Sequence, residues 1–150
     1  MINRFNNAYA FLSNFYHCRI EYDGAVFPTV ENAFQAAKYV GNNKPAVYQE
    51  FASITPGEAK RRGRKLPLRR NWDNIRLSIM EELLRNKFAD AVLKQRLLAT
   101  GNHELVEGNH WHDNFWGSCT CDRCRNKGQN QLGKLLMKLR SEYRNENNES

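Results

Sequence analysis

The sequence predicts an α+β fold dominated by helices: one compact domain over residues 1–144 with a small antiparallel β element, followed by a frayed tail at 145–150. Three observations carry this expectation. Segment after segment repeats apolar residues at helical spacing behind a recognisable cap, whereas a single stretch near the N-terminus alternates apolar and polar residues around a turn signal. And 41% apolar residues in a chain of 150 suffice for a buried core without disulfide staples.

The alternating stretch is CRIEYDGAVF, from Cys18 to Phe27. Its central Asp23-Gly24 suits a type I′ turn, in which both central residues need positive φ, so a short hairpin is expected here. After Pro28, Thr29 can cap a helix through Tyr39, with Glu31 in the first turn where the helix dipole favours a carboxylate. Val30, Ala33, Phe34, Ala37 and then Val40 or Gly41 form its apolar stripe.

A short helix from Pro45 to about Ala52 follows, placing Val47, Tyr48 and Phe51 at helical spacing. Thr55-Pro56-Gly57-Glu58 then combines a capping threonine, proline at the first helical position and glutamate three residues after the cap. From Asn71 or Trp72 to about Phe88 a longer amphipathic helix directs Ile75, Ile79, Leu83 and Phe88 inward. Asp90 caps another that runs to Leu98 and stops at Gly101. Residues 102–129 lose periodicity and turn to Asn, His, Trp, Gly and Cys, and a loop this long usually carries function or a ligand. A last helix, from Asn130 to about Tyr143, sets Leu132, Leu135, Leu136 and Leu139 on one face.

Composition excludes several classes. No apolar run approaches the roughly 18 to 20 residues of a membrane-spanning helix, and MINRFNNAYAFLSNFY lacks the apolar core of a secretory signal. The expected location is therefore cytoplasmic, with no membrane partner and a monomer as the default state. The net charge of +7 is unevenly placed: Glu58 to Arg70 holds seven basic residues and one acid, while the rest of the chain has 16 basic and 15 acidic residues. A charge run is usually a solvated helix face; the competing reading is a surface for phosphates, to which arginine offers forked donors. Arg69 and Arg70, next to Trp72, suit that role best.

Cys119, Cys121 and Cys124 lie together and Cys18 stands alone. In a reducing compartment they are either plain thiols or three ligands of a structural zinc site, with Cys18, His110 or His112 as the fourth. The usual signature of paired Cys-x-x-Cys motifs is absent. No cofactor for catalysis is expected.

Four polar-aromatic clusters interrupt the apolar pattern: Phe11-Leu12-Ser13-Asn14-Phe15, the stretch from Glu31 to Lys38, Arg69-Arg70-Asn71-Trp72, and Asn109 through Asp113 and Trp116 to Gly117. Singly, a tryptophan is more often core and a loop Asp more often a turn residue. Their recurrence suits a site that grips a planar base and a sugar. Glu31 and Lys38, seven residues apart, share one helical face; Glu31 is either a first-turn acid or a carboxylate for a sugar developing positive charge.

Taken together, these segments resemble the NADAR family, the YbiA-like domain associated with NAD and ADP-ribose metabolism. The resemblance rests on FLSNFY at 11–16, FPTVENAFQAAK at 27–38, LPLRRNWD at 66–73, LLATGNHELVEGNHWHDNFWG at 97–117 and GQNQLGKLLMKLR at 128–140. It implies N-glycosidase chemistry, the cleavage of a bond between ribose C1′ and a nitrogen. The substrate is either ADP-ribose on guanine, as a nucleotide or in DNA or RNA, or a phosphorylated ribosylamino-pyrimidine intermediate of riboflavin synthesis. The family's glutamate falls on Glu31, its tryptophan on Trp72 and its late acidic position on Asp113; Lys38 and Asn130 also stand in matched motifs. Asn32 occupies a position where many relatives carry histidine, so no base is expected there.

On this resemblance Glu31 stands near the ribose, Trp72 is the stacking surface, and Asp113 polarises water or orients ribose hydroxyls. Lys38 protonates the leaving nitrogen or forms an imine with the opened sugar. Ser13, Asn14, Phe15, Arg69, Arg70, Trp116, Gly117 and Asn130 complete the expected binding set. Two other classes compete: a non-catalytic ADP-ribose or nucleotide-binding module, which needs no poised acid, and a nucleic-acid-binding protein, whose affinity falls steeply with salt.

Overall fold

In the computed structural model, which describes residues 1–149, Asp23 and Gly24 adopt φ of 49° and 81° and close the expected hairpin. Strands β1 (Ile20–Tyr22) and β2 (Ala25–Phe27) pair antiparallel with Ile20 opposite Phe27. The turn is held on the next helical segment by the Tyr48 hydroxyl, which donates to Asp23 Oδ2 at 2.9 Å. The architecture is α+β and helix-dominated, with seven helices and two small sheets among the described residues. It divides into two compact units, Asn14–Ala89 and a second made of Met1–Ser13 with the chain from Asp90 onward.

In the first unit α1 (Val30–Ala37) contacts α2 (Lys44–Ala52), α3 (Pro56–Gly63), α4 (Trp72–Lys87) and both hairpin strands. Thr29 caps α1 by accepting from the Asn32 amide at 3.0 Å. All eight residues of α1 are buried, which departs from the expected apolar stripe: a helix enclosed on every side has no solvent face on which to place its polar residues. It also ends two residues early. Lys38 is the C-cap, Tyr39 pairs with Leu68 in an isolated antiparallel bridge, and Val40 is exposed.

Asn32 shows how such a helix is accommodated. It is fully buried, and its Nδ2 donates to the carbonyls of Phe51 and Ile54 at 2.7 and 2.8 Å while its Oδ1 accepts from the Thr29 hydroxyl. It therefore ties α1 to the end of α2 and acts as a strut. Thr55 caps α3 by accepting from the Glu58 amide at 3.2 Å. In α4, Ile79 and Leu83 are buried as expected, as is Phe88 at its C-cap; Met80 and Leu84 join them, and Ile75 is only half-buried. Lys87, at 1% exposure, has its Nζ 5.6 Å from the Tyr16 ring centroid and 5.3 Å from that of Phe88.

In the second unit a 3-10 helix at Asn7–Leu12 appears that local periodicity does not announce. Asp90 caps α5 (Ala91–Leu98) by accepting from the Leu93 amide at 3.0 Å, and Gly101 ends it at φ 66°. Helix α6 (Gln131–Glu149) buries Leu132, Leu136 and Leu139 and half-buries Leu135. Two of its arginines finish α5: Arg140 donates to Thr100 Oγ1 at 2.9 Å and Arg144 to the Gly101 carbonyl at 2.6 Å. The tail expected to be frayed is helical through Glu149, since no Gly or Pro interrupts it and Glu146 pairs with Lys94 at 3.4 Å. Ser150 lies outside the described residues. Between α5 and α6, the region read as loop holds a short parallel pair, β3 (Gly108–Asn109) with β4 (Ser118–Cys119).

Two stability measurements follow. Asn32→Ala leaves the buried Phe51 carbonyl and the part-buried Ile54 carbonyl without their donor and should cost about 3 kcal/mol in urea unfolding. Burial pulls the Lys87 pKa down to about 8, against the opposing pull of Cys18, from an ordinary 10.5. Between those values the unfolded chain holds the proton and the folded chain does not, so this lysine makes stability rise with pH. Lys87→Met should remove that part of the rise in Tm.

Candidate functional site

The expected residues distribute between the two units. Asn14, Phe15, Glu31, Lys38, Arg69, Arg70 and Trp72 belong to the first, and Ser13, Asp113, Trp116, Gly117, Asn130 and the three clustered cysteines to the second.

In the first unit the chemistry is built on α1. Glu31 is 8% exposed, and its backbone amide donates to the Asn14 carbonyl at 3.0 Å. One helical turn on, Gln35 Nε2 donates to Glu31 Oε1 at 3.0 Å and holds the carboxylate in one orientation. Lys38, another turn along, is half-buried. Its pKa is lowered chiefly by burial; Glu31 opposes that shift, and repulsion from Arg64 and Lys60 adds to it. The same face thus carries a carboxylate, the amide that orients it and an amine that sheds its proton more readily than an ordinary lysine. Glu31-x-x-x-Gln35-x-x-Lys38 is an i, i+4, i+7 pattern, so helical spacing alone puts Gln35 on the same face, although nothing local distinguishes it from an ordinary helix glutamine.

Trp72 lies 7% exposed with its ring 5.1 Å from that of Phe34, and Lys38 Nζ stands 6.0 Å from the Phe34 centroid. Trp72 and Phe34 therefore form a dry aromatic wall beside the amine, with little of the indole face open for a base to stack on. Asn14 Nδ2 donates to Met80 Sδ at 3.6 Å, while Phe15 is 41% exposed. Arg69 is engaged by the Tyr22 hydroxyl at 3.2 Å and the Ala37 carbonyl at 3.4 Å, whereas Arg70 is exposed. In the basic stretch, Arg61 and Arg62 pair with Glu58, and Arg62 also with Glu50 at 3.1 Å. Arg64 and Lys60 instead act electrostatically on Lys38. Gly63 lets α3 approach α1 closely, because a Cβ there would strike Gln35 Oε1.

In the second unit, Asp113 Oδ1 accepts from the Phe115 and Trp116 amides at 3.1 and 3.0 Å, folding its own loop. Trp116 packs edge-on against Phe115, with centroids 4.8 Å apart. Asn130, at φ 53°, donates to the Leu105 carbonyl and accepts from the Glu107 amide. Gly117 sits where a Cβ would meet Glu107. Asn130 therefore ties the start of α6 to the 105–107 segment just ahead of β3, and Gly117 packs against Glu107 of the same segment, a structural duty that their motif alone does not reveal. Ser13 caps the 3-10 helix through its amide.

The cysteine cluster gains its fourth member from His112: its Nδ1 and the sulfurs of Cys119, Cys121 and Cys124 all lie within 4.8 Å of one another, an arrangement that can hold a metal ion. His110 packs edge-on against Trp111, and Cys18 belongs to the first unit.

Comparison with known proteins places this geometry in context. The family model described as the NADAR domain matches residues 2–144. The chain is 37% identical over 135 residues to N-glycosidase YbiA of Escherichia coli (strain K12), covering 89% of this chain and 81% of that protein. It is 40% identical over 141 residues to N-glycosidase Npun_R5314 of Nostoc punctiforme, covering 91% and 87%. A third relative, riboflavin biosynthesis protein VVA0006 of Vibrio vulnificus, is 36% identical over 139 residues, 89% of this chain but 35% of that protein. The NMR structure of E. coli YbiA superposes with a TM-score of 0.82 at 34% identity, covering 100% of this chain and 89% of that one.

Because Gly63 makes room for the amide that orients Glu31, Gly63→Ala should displace Gln35 and lower turnover about tenfold or more with little change in helical circular dichroism. Gln35→Leu should have the same effect. Unchanged turnover in both would remove Gln35 from the positioning of Glu31.

Proposed function

We propose, for a chain that belongs to the NADAR domain family, that it is an N-glycosidase cleaving a ribose C1′–N bond, with ADP-ribose attached to guanine as its substrate. The observation that carries the reading is the α1 face: a buried carboxylate oriented by Gln35 and, two turns away, a half-buried amine with a lowered pKa beside an aromatic wall. A non-catalytic binding module has no use for that combination.

The reaction breaks the C1′–N bond with its electron pair leaving on nitrogen, and C1′ becomes oxocarbenium-like. Glu31 stabilises that charge, which costs little reorganisation because Gln35 already holds the carboxylate. Lys38 delivers a proton to the departing nitrogen, and water adds to C1′ with loss of its own proton to the solvent or a carboxylate. In the alternative course, the neutral amine of Lys38 attacks C1′ and the C1′–N bond breaks with its electron pair on the departing base, which takes up the proton the amine loses. The ribosyl-lysine then ring-opens, its remaining N–H proton passing to the ring oxygen, to an imine that water hydrolyses to free the amine and the sugar aldehyde. Asp113 is assigned to the reaction on the family resemblance; its carboxylate also folds its own loop.

The substrate class follows from charge. Arg64 and Lys60 bear on Lys38, so phosphate groups bound beside them would be favoured and would relieve their mutual repulsion. Two phosphates and a flanking backbone suit a basic helix better than one phosphate does. The second reading, hydrolysis of a phosphorylated ribosylamino-pyrimidine of riboflavin synthesis, is favoured by the name of the Vibrio relative.

A side-by-side assay of guanine-linked ADP-ribose and the ribosylamino-pyrimidine phosphate decides between them. The proposal expects faster release from the first; preference for the second reverses the substrate assignment, and release from neither sinks the glycosidase reading. Borohydride added during turnover should trap a sugar on Lys38 if the imine course operates, and should trap none if the lysine serves only as an acid.

A further inference from the structure

We propose that His112, Cys119, Cys121 and Cys124 bind one structural zinc ion that pins the loop between α5 and α6. The decisive observation is the position of a single nitrogen. His112 Nδ1 stands 3.4 Å from Cys124 Sγ and 3.6 Å from both Cys119 Sγ and Cys121 Sγ. A tetrahedral zinc with its usual bond lengths to sulfur and nitrogen separates those ligand atoms by about 3.6 Å. Hydrogen bonding does not account for the grouping, since one ring nitrogen has one proton or one lone pair to share and three sulfurs surround it at nearly equal distance. The thiols have not paired as disulfides.

The surrounding chain fits the metal. Cys121 and Cys124 are a Cys-x-x-Cys pair, and the Cys124 amide donates to Cys121 Sγ at 3.4 Å, an outer-shell contact that steadies a thiolate ligand. Cys119 is fully buried at the end of β4, its amide donating to Asn114 Oδ1 at 2.8 Å. His112, Arg125 and Asn126 all have left-handed backbone, at φ 68°, 54° and 57°. For residues other than glycine such conformations persist only when their surroundings hold them, and a metal with four ligands on this loop would do so. Three thiolates and one zinc ion leave a charge of about −1, which Arg123, Arg125 and Lys127 are placed along the loop to offset.

Zinc would thereby fix the residue before Asp113, and with it the turn that the Asp113 carboxylate makes to the Phe115 and Trp116 amides. The metal site does not rest on the glycosidase reading: it can be loaded and measured whatever substrate the protein cleaves.

The test is metal analysis of the full chain purified with zinc supplied, followed by exchange with cobalt(II). About one equivalent of zinc is expected, along with visible absorption from tetrahedral thiolate-bound cobalt and slow hydrogen exchange at the 115–119 amides that quickens on chelation. Cys18→Ser should keep the full equivalent and Cys124→Ala should lose it; the cobalt spectrum of the unaltered chain decides the matter should the second variant not fold. Well under one equivalent of zinc in folded protein, with no cobalt spectrum, overturns the proposal.

Discussion

The first unit is organised by the enclosure of α1. A helix with all eight residues buried must satisfy its polar side chains from within the protein, because water cannot reach them. Asn32 meets that constraint by bonding the Phe51 and Ile54 carbonyls, which ties α1 to α2. Gln35 meets part of it by donating to Glu31. The orientation of the Glu31 carboxylate is thus inseparable from the packing of the helix that carries it, and α3 presents glycine at Gly63 because a Cβ there would collide with the Gln35 amide oxygen.

Charge is read differently once these contacts are in place. The excess of +7 sits mostly in one stretch, but Arg61 and Arg62 are paired with local glutamates. Exposed pairs of this kind add little stability but take those arginines out of the account as free cations. The positive charges that bear on Lys38 are Arg64 and Lys60, because they help burial in lowering its pKa. Burial is the larger cause, so the readiness of Lys38 to lose its proton arises first from its position at the end of an enclosed helix.

Local signals were legible wherever physics is local. The caps at Thr29, Thr55 and Asp90 each accept the expected amide, and Asp23-Gly24 forms its turn because two adjacent positive-φ positions admit few other residues. Glu31 and Lys38 could be assigned to one helical face from spacing alone. What escaped was set by distant partners. The burial of α1 on every side depends on three other helices, and Asn130 looks like a motif residue until its bonds to Leu105 and Glu107 are seen. The choice of His112 over His110 and Cys18 turns on a left-handed residue that no spacing rule selects.

The central claim is that the oriented Glu31 carboxylate drives C1′–N cleavage from within a helix that needs no rearrangement. Glu31→Gln tests it most directly, because the amide preserves shape while removing the charge. Single-turnover cleavage of guanine-linked ADP-ribose should fall at least about a hundredfold, with substrate binding and Tm close to those of the unaltered protein. Cleavage at the original rate by a folded Glu31→Gln protein would contradict the account.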